Sequence, residues 1–182
     1  GGNHPEMHRE VWSAVGDDRV TWRWNWIEDS TNTAVFAYVN EGGVADGIAI
    51  YGNMIVQTGL QGVHASFFID AAYTNVIPTN WKVCNNTLVG WISGGPGIVL
   101  NTSGSGNQIY NNIWALHPAS DTVPLSSSHD YNGFHSIIHW VSKVDMAPSL
   151  ASGESHGQRF STDPFVNSSL RDYRLKQATN AG

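Results

Sequence analysis

Four titratable side chains alternate near the start of the chain, in His4-Pro5-Glu6-Met7-His8-Arg9-Glu10. On an extended strand, successive residues point to opposite faces, so His4, Glu6, His8 and Glu10 would share one face with Arg9 on the other. Imidazoles beside carboxylates in that arrangement suit proton transfer, or the binding of a divalent cation such as calcium. The plainer reading of the same residues is a solvated terminal stretch, in which Pro5 weakens any strand. A second polar cluster, Ser128-His129-Asp130, is followed by His135 and His139. A satisfied histidine beside a loop is the commoner use of such residues. The spacing of His135 and His139 suits a helix, but Phe134, Ile137, Ile138 and Trp140 around them do not decide it. Gly16-Asp17-Asp18 stands directly before Arg19-Val20-Thr21-Trp22 and reads as a turn.

The elements that would position these groups follow from composition and period. A chain of 182 residues fits one domain and is long enough to bury a core. Only 13% of it is charged, while 41% is hydrophobic and eight residues are Trp, which excludes a disordered chain. The net charge of −6, with no Lys/Arg run, excludes nucleic acid as a general partner. No segment reaches the roughly 18 apolar residues of a membrane-spanning helix. The single Cys84 sits in a strand-like run, where a buried, inert thiol is expected. The ends, Gly1-Gly2-Asn3-His4 and Asn180-Ala181-Gly182, read as cut from or matured out of a longer protein.

The chain repeats. Alternating apolar residues, an Asn, one variable residue and a large apolar residue recur around Asn25, Asn53, Asn86 and Asn112, with a shorter version at Asn132. Those asparagines are 28, 33, 26 and 20 residues apart, in the range of solenoid repeats. The period of two marks strands. The Asn is expected at a sharp corner, taking the left-handed conformation and bonding its equivalent one coil away. Second strands begin at Ala34, Gly62 and Gly97, with Glu10 to Ala14 as a fourth. Aligned, they put Val11, Val35, Val63 and Ile98 in an inward column. Trp12, Phe36 and His64 then point outward, with Tyr38 in the next outward column. A slip of one residue would exchange the faces and put the rings in the core; the sequence leaves both readings open.

Ile50-Tyr51-Gly52-Asn53-Met54-Ile55 and Val83-Cys84-Asn85-Asn86-Thr87-Leu88-Val89 resemble coils of the right-handed parallel β-helix superfamily of pectate-lyase-like proteins. The tail, Asp163-Pro164-Phe165-Val166-Asn167 with Asp172-Tyr173-Arg174-Leu175, is similar to the segment that closes such domains. The resemblance implies an all-β, right-handed parallel β-helix of about five to six coils. It would form a single domain over 1–182, with coils over about 8–142 and a closing segment over about 143–182. It also implies a secreted or cell-surface protein that binds or cleaves a polysaccharide as a lyase or glycoside hydrolase. His8, Glu10 and His64 would be the catalytic candidates, and Trp12, Phe36, Tyr38 and Arg9 would contact the substrate, aromatic faces stacking on sugar rings. The superfamily's standard catalytic sets are incomplete here. Asp17-Asp18 lacks the Gly-His-Gly and Arg-x-Lys elements of polygalacturonase-type hydrolases, and Arg9, Arg23 and Lys82 stand apart from any ladder of calcium-binding carboxylates. The competing expectation is a structural or adhesive surface protein. With no amphipathic cap legible at either end, its open coils would pair end to end into a homo-oligomer.

Overall fold

The computed structural model describes residues 19–28, 43–57, 69–71, 76–90, 98–100, 103–117, 128–139 and 142–179. Strands dominate them, and nearly all pair in parallel. The first sheet holds β1 (Thr21–Arg23), β4 (Ala49–Tyr51), β8 (Lys82–Cys84), β11 (Gln108–Tyr110) and β13 (Ser128–Asp130) in that spatial order. The second holds β2 (Trp26–Glu28), β5 (Met54–Val56), β9 (Thr87–Val89), β12 (Ile113–His117), β14 (Gly133–Ile137) and β15 (Gln158–Arg159). Two smaller parallel pairs are β3 (Gly43–Asp46) with β7 (Val76–Thr79), and β6 (Ile69–Ala71) with β10 (Ile98–Leu100). The chain therefore enters the first sheet, turns one corner and enters the second, and it does so at β1–β2, β4–β5, β8–β9, β11–β12 and β13–β14. The last of these is the segment around Asn132, which forms a full unit despite its short sequence signature.

Strands of three residues are too short to persist alone, so side chains stacked in register must hold them. In the second sheet, Ile27, Ile55, Leu88, Trp114 and Phe134 are aligned by pairing and all buried. The facing column of the first sheet is Trp22, Ile50, Val83, Ile109 and His129, of which the three aliphatic members are fully buried. Burying each of these large apolar side chains contributes about 1.5–3 kcal/mol.

The asparagines between the two columns form a continuous ladder. Asn25 Nδ2 donates to Asn53 Oδ1 at 2.8 Å, Asn53 to Asn86 at 2.9 Å, Asn86 to Asn112 at 2.9 Å and Asn112 to Asn132 at 3.1 Å. Each of these oxygens also accepts the backbone N–H of the preceding ladder Asn. The left-handed conformation, however, falls one residue earlier than expected. It belongs to Trp24, Gly52, Asn85, Asn111 and Tyr131, with φ of 59°, 67°, 55°, 57° and 59°. That residue makes the bend and points outward, which leaves the ladder Asn free to aim its amide inward.

Gly90 shows how tightly adjacent chain segments approach. Its φ is +74°, and a Cβ there would overlap the Gln57 carbonyl of the neighbouring strand. Gly90→Ala combines a left-handed alanine, about 1–2 kcal/mol, with that collision. We expect a loss of at least about 2 kcal/mol in urea denaturation. Gly153→Ala, at φ −76° and exposed, serves as the near-neutral control.

The smaller sheets revise one alignment. Ile98 is buried as expected, but its partner is Ile69, not Val63, and Val99 pairs with Asp70. The column that placed His64 beside Val99 is thereby broken. A connection of different length in each repeat carries no periodic signal, and the register of these strands depends on it.

The closing segment does more than end the stack. Helix α1 (Ala147–Ser152) adds Ala147 and Ala151 to the main core, and Asp145 Oδ1 accepts the N–H groups of Ile137 and Ala147. Beyond it, β15 extends the second sheet past residue 142, pairing Phe134 with Arg159. The antiparallel hairpin of β16 (Phe165–Asn167) and β17 (Asp172–Leu175) then folds back along the outer side of the second sheet. Phe165 and Tyr173 bury Val56, Val89, Ile113 and Ala115 there. Tyr173 reaches Trp26 with ring centroids 6.0 Å apart, and Arg171 bonds Glu28 at 2.5 Å.

Candidate functional site

Among the described residues, the hairpin covers the outer side of the second sheet, while the outer side of the first sheet and its corner are left open. The left-handed corner residues project there in a row. Trp24 is 70% exposed and Tyr131 40% exposed, with Gly52, Asn85 and Asn111 between them. Gly52 gives the row its shape: the Trp24 ring lies over it, in space that any Cβ would occupy. The ring meets Tyr51 edge-on, at 5.7 Å and 87°. Arg23 donates from Nη1 to the Tyr51 hydroxyl at 2.9 Å, so this end presents an indole, a phenol and a cation together. In the middle, Asn111 Nδ2 donates to Asn85 Oδ1. At the far end Tyr131 stacks on His156, with centroids 4.4 Å apart and planes 2° from parallel. The row crosses four strand spacings of about 4.8 Å, or about 19 Å in all.

Two side chains beneath the row are less available. Cys84 lies in the outward column between Tyr51 and Tyr110, yet is buried. Its thiol, hydrogen-bonded to Tyr110, together with partial burial pushes the phenol of Tyr110 above its ordinary value.

Asp130 organises the His156 end. Its Oδ1 accepts the N–H groups of Tyr131 at 2.8 Å and His156 at 2.7 Å, and its Oδ2 meets His156 Nδ1 at 2.8 Å. Burial alone would raise this carboxyl. The hydrogen bonds from His156 and Tyr131 outweigh it and hold the group below the usual carboxylate range.

His129, adjacent in sequence, does something different. It occupies the inward column of β13, not a loop, and its Nδ1 lies 3.0 Å from Glu154 Oε1. Glu154, with a side chain only 1% exposed, also accepts Asn132 Nδ2 on Oε1 at 2.8 Å and Asn132 N–H on Oε2 at 2.9 Å. Its carboxylate takes the place of a sixth ladder Asn. The asparagine ladder therefore ends at Glu154. A carboxylate can accept from the last rung but has nothing to donate to another.

His135 faces the Phe160 carbonyl at 3.0 Å, and His139 accepts the Ser142 N–H at 3.0 Å in a turn, so their spacing is not helical. Among the described residues no three His, Cys, Asp or Glu side chains converge as metal ligands, and no helix is long and apolar enough to cross a membrane. The candidates His8, Arg9, Glu10, Trp12, Phe36, Tyr38 and His64, and Asp17-Asp18 with them, lie outside the described residues. The sequence does carry a signal for the row from Trp24 to Tyr131: the residue immediately before each ladder Asn, which a left-handed corner must turn outward. It carries none for His156. Compared with known proteins, the chain matches no family model, no curated protein and no solved structure.

Proposed function

We propose that this chain is a right-handed parallel β-helix that binds a polysaccharide along the corner row from Trp24 to His156. Two observations support the helical reading, the parallel sheets visited in strict alternation and the Asn ladder between them, and the right hand follows the strong preference of crossovers between parallel strands. The observation that carries the binding reading is the row itself. Two exposed aromatic platforms, Trp24 with Tyr51 and Tyr131 with His156, flank a pair of exposed amides on one open face. Aromatic faces cover the apolar faces of sugar rings, and amides and an arginine satisfy their hydroxyls. Polysaccharide as ligand places the protein outside the cell or at its surface, and that setting is part of the proposal.

Binding is the activity the row supports. Cleavage by His8, Glu10 and His64 is a separate proposal, tested by new reducing ends or unsaturated products lost in His8→Ala or Glu10→Ala. The adhesive alternative keeps one argument, the length and regularity of the open face. The Glu154 closure weighs against assembly through the C-terminal end.

The test of binding is a panel of soluble oligosaccharides titrated calorimetrically. Trp24→Ala and Tyr131→Ala should each weaken binding about tenfold, since one aromatic contact contributes on the order of 1 kcal/mol beyond its buried area. Unchanged affinity in both variants would remove the row as the binding face. Failure of the whole panel to bind, with filaments visible by electron microscopy, would move the assignment to a structural protein.

A further inference from the structure

We infer that His156 is a specificity-determining residue of the corner row, presenting a fixed hydrogen-bond acceptor to one hydroxyl group of the bound glycan. The inference rests on the binding reading above and adds to it which donor the row selects. A carboxylate can only accept hydrogen bonds. Asp130, held in its ionised form by the bonds described above, therefore requires the proton of the neutral imidazole to be on Nδ1, 2.8 Å from its Oδ2. The lone pair is then on Nε2, which has no hydrogen-bond partner among the described residues. Two further restraints fix where it points. The His156 N–H bonds the same carboxylate at 2.7 Å, which anchors the backbone, and the ring lies flat on Tyr131 at 4.4 Å, which fixes its plane. The side chain remains 55% exposed.

A lone pair preset in this way rewards a hydroxyl donor. It offers nothing to an ether or ester at the same position, because discrimination comes from leaving a polar group unpaired. Asn85 and Asn111 can adapt by rotating their amides; a clamped imidazole cannot. The chemical class selected is a glycan with a free hydroxyl on the sugar seated at the edge of the Tyr131–His156 pair. The groups against the ring are Asp130 and Tyr131, while Glu154 on the same loop is turned to His129 and Asn132.

The experiment uses whichever of cellohexaose, xylohexaose and mannohexaose binds the wild-type chain, together with its per-O-methylated form. His156→Phe keeps the stacked ring and the backbone bond to Asp130, and circular dichroism checks its fold. The expected result is five- to tenfold weaker binding of the free hexaose, on the order of one hydrogen bond. The preference for free over methylated hexaose should narrow by the same factor. His156→Gln, which restores an acceptor, should recover part of the loss. If Trp24→Ala weakens binding while His156→Phe changes neither affinity nor the preference for the free hexaose, this inference is overturned and the row stands. If neither variant has an effect, or no hexaose binds, the binding reading fails and the inference with it.

Discussion

Asn86→Ala should lose about 4 kcal/mol of stability, read as a large fall in the urea midpoint followed by tryptophan fluorescence. Asn86 is 1% exposed and stands at the centre of the ladder. Its Oδ1 accepts Asn53 N–H at 3.1 Å and Asn53 Nδ2 at 2.9 Å, and its Nδ2 donates to Ile50 O at 3.0 Å and Asn112 Oδ1 at 2.9 Å. Alanine leaves the Asn53 N–H with no partner and no access to water, and takes from the Ile50 carbonyl one of its two donors, the other being the Cys84 N–H of the paired strand. A buried orphan costs about 1–3 kcal/mol, and the lost ladder bonds and the vacated volume add to that. Asn86→Asp should be no better, because its second oxygen would face the Ile50 and Asn112 oxygens. Thr21→Ala, an exposed site in the first strand, should change stability by less than about 0.5 kcal/mol. A midpoint for Asn86→Ala within that same margin would mean that the ladder decorates the fold and does not hold it.

Glu154→Gln is the second large effect, although it changes a single atom. In the wild-type chain the oxygens Oε1 and Oε2 both accept, the former from Asn132 Nδ2 beside the His129 contact and the latter from Asn132 N–H. Whichever way a glutamine is placed, its NH₂ confronts a donor. The negative charge also lies at the donor end of a row of aligned amides, where it is favoured for the reason that acids are favoured at helix N-termini. We expect a loss of about 2–3 kcal/mol. Hydrogen exchange should also rise first in β13 and β14, the strands nearest the cap. Equal stability of Glu154→Gln and wild type would show that the carboxylate is not the terminal rung.

The periodic part of this molecule was legible in its residues. Asn25, Asn53, Asn86, Asn112 and Asn132 set the corners because each must meet its equivalent in the next repeat, and that demand recurs along the chain whatever lies between. The alternation around them set the strands, and the apolar residue two positions after each Asn set the inward column of the second sheet. What the tertiary structure alone decided has no period. Ile98 met Ile69 and not Val63 because the connecting segments differ in length, and register follows the loop. Glu154 became the last rung because α1 delivered a carboxylate from outside the repeat. The hairpin covered one outer face and left the other open, through contacts of Phe165 and Tyr173 that no local rule foretells. Asp130 and His156 were 26 residues apart until the same loop brought them together. Local sterics and hydrogen-bond symmetry repeat with the sequence, whereas the choice of exposed face depends on how its last segment packs.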